Sequence, residues 1–204
     1  SVLTNDDVAV EDSSFTTGRR GVAATVIVEK IVGSLAESGG SLEECKKLGD
    51  KVNKNSGSMG VAFSSCTVPA AGKPTFDLGA DEMEFGVGIH GEPGRRRDKV
   101  KPAQEITNEL LEAIIEDLKP ENNEEILLFV NGMGGTPLTE LYLVYDNAKK
   151  MLDGKNIKIA RSLVGNYCTS LEMQGASVTL TKLDQELVKH WDSAVHTAAM
   201  RWGM

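Results

Sequence analysis

The sequence has little of what marks the specialised classes of protein. Among its 204 residues, no apolar run reaches the roughly 18 residues that span a bilayer, and no basic start followed by an apolar stretch suggests secretion. Cysteine is scarce, since Cys45, Cys66 and Cys168 are odd in number, far apart and in no C-x-x-C pair. Neither a zinc site nor a disulfide framework is expected, and reduced thiols in a cytoplasmic protein fit best.

Positive charge is also in deficit. Lysine and arginine number 22 against 30 aspartate and glutamate residues, which gives a formal net charge of −8. This balance disfavours broad contact with a nucleic-acid backbone, and no direct nucleic-acid partner is expected. Hydrophobic residues make up 40% of the chain. That is an ordinary globular proportion, and the length is sufficient for one large domain or two small ones.

Hydrophobic periodicity predicts alternating helices and strands, which favours an α/β or α+β fold. Helices are predicted over residues 22–35, 41–54, 102–118, 136–152 and 183–191, and strands over 58–65, 82–90, 125–130, 157–164 and 176–181. Ser41 and Glu44 have the spacing of a capping box at the second helix. The run 125–130 is continuously apolar, which is typical of an interior strand. The tail from Asp192 onward is predicted to be irregular.

The strand predicted over 82–90 ends in the most interesting single residue of the chain. In an extended strand, Gly86 and Gly88 share one face with His90, so the histidine overlooks a floor without side chains, and Gly91 keeps the following backbone low. A small molecule can reach such an imidazole, which is a competent nucleophile or base near neutral pH. The alternative is a surface histidine at a strand end, with glycines that allow a tight turn.

A carboxylate that orients His90 has to lie nearby. Glu84 lies six residues back, about 20 Å along an extended strand, and is too far away. Glu92 is about 7 Å away by the same rise and reaches His90 if the turn folds back. Otherwise Glu92 is a solvated turn residue.

Two glycine-rich segments resemble phosphate-binding loops. Residues 86–91 satisfy G-x-G-x-x-G, but a helix start does not follow, so a dinucleotide site is not assigned. Residues 131–135 precede Thr136 and Pro137, which are predicted as the N-cap and first-turn proline of a helix. A strand, glycine loop and helix N-terminus can hold an anion, although the lysine of a P-loop is missing. The alternative is a tight strand-to-helix turn.

The remaining candidates are basic residues and histidines. One dense basic cluster either docks a phosphorylated ligand or an acidic partner, or is a solvated loop; its members are Arg95, Arg96, Arg97, Lys99 and Lys101. Arg19 and Arg20 lie similarly before a helix start. His190 and His196 have no ligand spacing, which favours packing or surface roles. No Ser/His/Asp or metal constellation can be assembled from histidines placed in this way.

Several longer motifs together carry a family resemblance. In chain order they are residues 5–10 (NDDVAV), 18–22 (GRRGV), 66–74 (CTVPAAGKP), 83–94 (MEFGVGIHGEPG), 130–142 (VNGMGGTPLTELY), 164–173 (VGNYCTSLEM) and Trp202-Gly203. They closely resemble the dihydroxyacetone kinase family, in its substrate-binding K subunit, over essentially the whole chain. The resemblance implies the two-domain α/β fold of that subunit.

The resemblance also implies a covalent mechanism. In that family, the histidine of the GIHGEPG motif adds to the carbonyl of dihydroxyacetone and forms a hemiaminal, and this histidine matches His90. Gly88 and Gly91 are expected to contact the substrate beside it. The chain ends just after Trp202-Gly203, so the phosphoryl donor is expected on a separate L subunit. That subunit holds ADP, which the phosphoenolpyruvate-dependent phosphotransferase system rephosphorylates, and no cofactor is expected on this chain.

The chain begins with what looks like the end of a strand, without the long first section of the family's K subunit. That section carries further substrate contacts and an acid/base histidine and aspartate. Residues 1–43 are therefore expected to be the end of a discontinuous first domain, 44–169 a second α/β domain with His90, and 170–204 a segment that returns to the first. A homodimer is expected. The alternatives to a kinase subunit are a regulatory paralogue that binds dihydroxyacetone and signals to a transcription factor, and an inert fragment.

Overall fold

The computed structural model of the chain describes residues 1–11, 18–92 and 94–203. Its helices are α1 (Ala24–Glu37), α2 (Leu42–Lys54), α3 (Ala103–Leu118), α4 (Leu138–Gly154) and α5 (Gln185–Asp192). Its strands are β1 (Ser56–Ala62), β2 (Glu82–Phe85), β3 (Arg96–Lys99), β4 (Glu125–Gly132), β5 (Lys158–Gly165), β6 (Gly175–Lys182), β7 (Val195–His196) and β8 (Arg201–Trp202).

One six-stranded mixed sheet, in the order β3-β2-β1-β6-β4-β5, organises the fold. The pair β4 and β5 is parallel, and α4 makes the crossover between them. The other neighbours are antiparallel. The α/β fold class predicted from the sequence is confirmed. Strand β6 comes from the predicted segment 170–204 and lies between β1 and β4, which come from the predicted segment 44–169. The division of a longer protein into two domains stays a prediction.

Helices cover both faces of the sheet. Helices α1, α2 and α5 lie on one face, around a core that includes Ile27, Phe129 and Trp191. Helices α3 and α4 lie on the other face, around a core that includes Leu110 and Leu128. Strand β4 sends alternate side chains into both cores, which is why its sequence is continuously apolar rather than alternating.

Local signals correctly located several element ends. The capping box of α2 is present, since the side chain of Ser41 accepts from the amide of Glu44 while the Glu44 carboxylate accepts from the amide of Ser41. Lys119 adopts a left-handed conformation just before Pro120 and ends α3. The predicted start of α4 was wrong by one residue, because Pro137 rather than Thr136 is the N-cap residue. The hydroxyl of Thr136 instead donates to the carbonyl of Gly175, 2.7 Å away.

Three predictions about strands were wrong. Strand β2 ends at Phe85 instead of continuing to His90, because Gly86 has φ +74° and leaves the extended conformation. Strand β3 was not predicted, since its sequence Arg-Arg-Asp-Lys has no apolar pattern and forms at the sheet edge through backbone pairing with β2. The tail is not wholly irregular, because β7 and β8 pair as a short antiparallel ribbon.

Candidate functional site

His90 lies on a tight turn that follows β2. The amide of Gly88 donates to the carbonyl of Glu92 at 3.1 Å, and the amide of Gly91 donates to the carbonyl of Gly88 at 3.0 Å. Gly91 has φ +77°, a left-handed conformation that favours glycine. The turn presents the imidazole to solvent, with 79% of the His90 side chain exposed.

The carboxylate of Glu92 holds His90 at two points. Its Oε1 lies 3.0 Å from Nδ1 of the imidazole, and its Oε2 accepts the backbone amide of His90 at 3.0 Å. Burial raises the pKa of Glu92, but hydrogen bonds from the backbone and from His90 outweigh this effect and hold the pKa below its usual range. An ionised carboxylate only accepts, so Nδ1 is the donor, and in the neutral imidazole this leaves Nε2 with a free lone pair. The turn therefore folds back, and of the two alternatives left open by the sequence, Glu92 is the partner of His90 rather than a solvated turn residue.

The glycines before His90 do not form the predicted floor of an extended strand. That expectation was wrong, because the chain turns at Gly86 and the two glycines are buried beneath the turn. A Cβ on Gly88 would lie 2.1 Å from Oε2 of Glu92, so the absence of a side chain is what admits the carboxylate. A Cβ on Gly91 would lie 2.4 Å from Oγ1 of Thr75, on the neighbouring loop.

A buried ion pair lies behind the turn, and the sequence did not reveal it. Arg20 donates from Nε to Oδ2 of Asp7 at 2.8 Å and from Nη2 to the carbonyl of Gly86 at 2.6 Å. The side chains of Arg20 and Asp7 are 8% and 3% exposed. Burial raises the pKa of Asp7 to about 6, although the charge of Arg20 opposes the shift. The neighbouring Asp6 accepts the amides of Val22 and Ala24 at the start of α1, both at 2.9 Å.

Consecutive aspartates before an apolar pair were the one sequence signal for this network. Asp6 and Asp7 precede Val8 and Ala9, and all of these residues are buried. Buried carboxylates need partners, so the pattern indicates a polar network inside the protein. The identity of its partners depends on the tertiary fold.

The glycine loop 131–135 is a tight turn rather than an anion cradle. The amide of Met133 donates to the carbonyl of Gly175, and the amide of Gly135 donates to the carbonyl of Met173. The amide of Gly134 donates to Oδ1 of Asn166 at 3.2 Å. Because these donors are used inside the fold, the structure favours the turn interpretation. No helix follows residues 86–91 either, since the described chain continues into β3.

The basic cluster lies on and beside the exposed edge strand β3 rather than in a loop, and its members have partners within the chain. Arg96 and Lys101 pair with Glu109, Arg97 pairs with Glu84, and Lys99 pairs with Asp81. Arg95 donates to the backbone carbonyls of Val8 and Ala9. The carboxylates around β3 therefore neutralise most of this charge locally.

The other candidates have structural surroundings. Arg19 pairs with Asp117 at 2.6 Å. His190 is buried with Nδ1 3.0 Å from the hydroxyl of Ser34, and His196 lies on the small ribbon. Over residues 1–11, 18–92 and 94–203, no group of His, Cys, Asp and Glu has the arrangement of a metal site, and the cysteines are free. None of the described helices has the length and apolarity to cross a membrane.

Comparisons with known proteins agree with this architecture. The chain superposes on the structure of the dihydroxyacetone kinase operon co-activator Dha-DhaQ with a TM-score of 0.86 and 32% identity, over 95% of this chain and 60% of that one. It superposes on the dihydroxyacetone kinase of C. freundii in complex with AMP-PNP and Mg2+ with a TM-score of 0.85 and 26% identity, over 98% and 36% of the two chains. The fold is therefore that of the K portion of dihydroxyacetone kinases.

Sequence comparison gives the family. The Dak1 domain matches residues 1–199. The dihydroxyacetone-binding subunit DhaK of PTS-dependent dihydroxyacetone kinase 1 of Listeria innocua is 49% identical over 185 residues, which cover 91% of this chain and 56% of that protein. The chain belongs to the Dak1 domain family of dihydroxyacetone kinases, so the resemblance seen in the motifs is confirmed. It spans little more than half the length of this relative.

Proposed function

We propose that this chain is the dihydroxyacetone-binding portion of a dihydroxyacetone kinase, and that Nε2 of His90 holds the substrate as a covalent hemiaminal. The observation that carries the proposal is the pairing of an exposed imidazole with a shielded carboxylate. Oε1 of Glu92 lies 3.0 Å from Nδ1, so the lone pair of Nε2 on the other side of the ring faces outward, where a small ketone can approach. The Listeria relative is named as a dihydroxyacetone-binding subunit, and this supports dihydroxyacetone as the substrate.

In the proposed step, the imidazole adds to the ketone and no group leaves. The lone pair of Nε2 forms a bond to the carbonyl carbon, and the π pair of the C=O bond moves to oxygen, which takes up a proton. The imidazole gives up its Nδ1 proton across the hydrogen bond to Glu92, from which it passes to solvent. The ring nitrogen of the hemiaminal carries no hydrogen, so loss of water cannot give a neutral imine. The addition therefore stays reversible. Glycerol has no carbonyl and is therefore rejected.

Capture of the ketone would position its terminal hydroxyl for phosphorylation. A substrate fixed by one covalent bond loses most of its orientational freedom before the transfer step. The proposed reaction is phosphoryl transfer to that hydroxyl, which makes the protein a phosphotransferase with an alcohol group as acceptor. The acid and base of the transfer would come from a section that precedes this chain, in a cleft between the predicted domains of a homodimer.

In this proposal, a separate L subunit supplies the phosphoryl group. ADP held by that subunit would carry the phosphoryl group from the phosphoenolpyruvate-dependent phosphotransferase system. The words "PTS-dependent" in the name of the Listeria relative support this route. The internal use of the amides of loop 131–135 also supports a nucleotide that is held elsewhere.

A second candidate function is supported by the likeness to the co-activator Dha-DhaQ. In that case the chain would bind dihydroxyacetone on His90 and signal to a transcription factor without transferring phosphate. Measurement of product formation distinguishes the kinase function from the sensor function. With the full-length protein, the L subunit, ADP and a phosphoryl donor, a kinase forms dihydroxyacetone phosphate, whereas a sensor forms the adduct without product.

The adduct itself can be observed by carbon-13 NMR with dihydroxyacetone labelled at its carbonyl carbon. We expect the ketone signal to be replaced by that of a tetrahedral carbon, and the substitution His90→Ala to abolish the new signal without unfolding the protein. His196→Ala is the matched control, because that histidine is exposed and lies on the distant ribbon. A tetrahedral signal that survives in folded H90A would show that the assignment to His90 is wrong. An inert fragment would form no adduct in either protein.

A further inference from the structure

The N-terminal segment 6–9 lies directly behind the turn that carries His90. The amide of Ser58 in β1 donates to the carbonyl of Asp6 at 2.7 Å, and the amide of Val8 donates to the carbonyl of Ser58 at 2.9 Å. The amide of Gly86 donates to the carbonyl of Gly60 at 2.6 Å. Alternate residues of a strand present their backbone groups to the same edge. The segment and the start of the turn therefore share one edge of β1.

Arg20 connects these two neighbours through one buried guanidinium. Its Nε donates to Asp7 at 2.8 Å and its Nη2 donates to the carbonyl of Gly86 at 2.6 Å. The Asp7 side chain is 3% exposed, so the pair is shielded from water and its geometry is tightly constrained. The carbonyl of Gly86 is the point at which the chain leaves β2, so a donor at this position fixes the direction of the turn.

The packing around the turn leaves little room for another arrangement. A Cβ on Gly86 would lie 2.5 Å from the Cβ of Ala9, so the segment touches the turn directly. Arg95, just after the turn, donates to the carbonyls of Val8 and Ala9. Two arginines thus hold the segment 6–9. Arg20 binds it where the turn begins, at Gly86, and Arg95 binds it just after the turn.

Arg20 also reaches the region beneath His90. A Cβ on Gly88 would lie 2.9 Å from Nη1 of Arg20 and 2.1 Å from Oε2 of Glu92. The guanidinium and the carboxylate therefore both border the space that a side chain at position 88 would fill.

We infer that Arg20 is a positioning residue for His90: anchored on Asp7, it holds the turn 86–92 so that Glu92 meets Nδ1 and leaves Nε2 exposed. The inference rests on the proposed function for its substrate readout only. Loss of the Gly86 contact lets the turn shift, and Glu92 then no longer enforces one tautomer of the ring.

The test compares Arg20→Lys with Arg19→Lys in the full-length protein. Lysine at position 20 keeps the charge opposite Asp7 but has no second nitrogen to reach Gly86. Arg19 is the matched control, since it is the neighbouring arginine and makes its two-point pair with Asp117 of α3. The first readout is the tautomer of His90 in nitrogen-15 NMR of histidine-labelled protein, assigned with H90A. The second is the dissociation constant of the carbon-13 adduct.

We expect R20K to show mixed tautomers and at least about tenfold weaker adduct formation, with R19K unchanged. Folded R20K with the wild-type tautomer and affinity would overturn the inference. If R20K does not fold, the double variant Asp7→Asn with Arg20→Gln removes both buried charges and is measured in the same way. Failure of both to fold would also overturn it, because Arg20 would then be merely structural. The tautomer readout needs no substrate, so an absence of adduct in the wild type counts against the proposed function alone.

Discussion

Oε1 of Glu92 lies 3.0 Å from Nδ1 of His90, while the other oxygen of the same carboxylate accepts the His90 backbone amide. One side chain therefore sets both the rotation of the imidazole and the course of the backbone that carries it. This double contact converts an exposed histidine into one with a defined tautomer. It also makes the candidate site sensitive to changes that leave the imidazole itself untouched.

Glu92→Gln should weaken the proposed adduct. The amide is nearly the same size but uncharged, so a charge-assisted hydrogen bond to Nδ1 becomes a neutral one, which is about half as strong. We expect roughly a tenfold increase in the dissociation constant of the carbon-13 adduct, which corresponds to about 1.4 kcal/mol. Glu186→Gln is the control, because Glu186 pairs with Lys51 far from the turn. Unchanged affinity in E92Q would contradict the role of the carboxylate.

Gly88→Ala should separate function from stability. The new Cβ would meet the carboxylate of Glu92 at 2.1 Å, and that carboxylate is the mobile end of a side chain. The other close group is also the end of a side chain, Nη1 of Arg20 at 2.9 Å, so the backbone of the turn can remain folded while both side chains shift and Glu92 moves away from His90. We expect a thermal midpoint within a few degrees of the wild type, as for a change of about 1 kcal/mol or less, together with loss of the adduct signal.

Gly33→Ala is the control for that substitution. Gly33 lies inside α1 with open space around the added carbon, so the change should stabilise the protein by about 0.5–1 kcal/mol through helix propensity and leave the adduct intact. An intact adduct in G88A would show that Glu92 does not need the space beneath Gly88.

The buried carboxyl of Asp7 should make stability depend on pH. Burial raises its pKa from 3.8 to about 6 in the folded protein, so between these values the folded state binds more protons than the unfolded state. The free energy of unfolding contributed by this group is therefore highest below pH 4 and is lost as the pH rises through about 6.

Urea unfolding at pH 5 and pH 7 measures this effect. The decrease in unfolding free energy from pH 5 to pH 7 should be smaller in Asp7→Asn than in the wild type. The pKa of Asp6 is also raised by burial, so part of the decrease should remain in the variant. An identical decrease in both proteins would mean that Asp7 does not titrate in this range. Asp50→Asn, in an exposed pair with Lys46, is the control.

Much of the fold follows from local patterns in the sequence. The helix α3 begins after Pro102 and ends near Pro120 because proline is tolerated in the first turn and excluded from the interior. The capping box places the start of α2, and a run without polar residues places β4 between two helical layers. Each of these features involves residues close together in the chain, so their interactions can be inferred from spacing alone.

The same holds for part of the site. Glu92 lies two residues after His90, and the sequence allowed their contact as soon as the intervening Gly91 was recognised as a turn residue. The strand before His90 was predicted to be too long, and the reason is simple. Alternation of apolar residues continues past Phe85, but the conformation of Gly86 depends on its contacts with Ala9 and Gly60 rather than on its neighbours.

The sequence by itself therefore determined the helices, the interior strand and the family, and it left the contact of Glu92 with His90 open. The tertiary structure alone decided what holds that pair in place. Arg20 meets Asp7 and Gly86 across 13 and 66 residues of chain, and the charged strand β3 forms only because β2 offers an edge. A buried charge specifies that it needs a partner, but which partner is within reach depends on how distant segments pack.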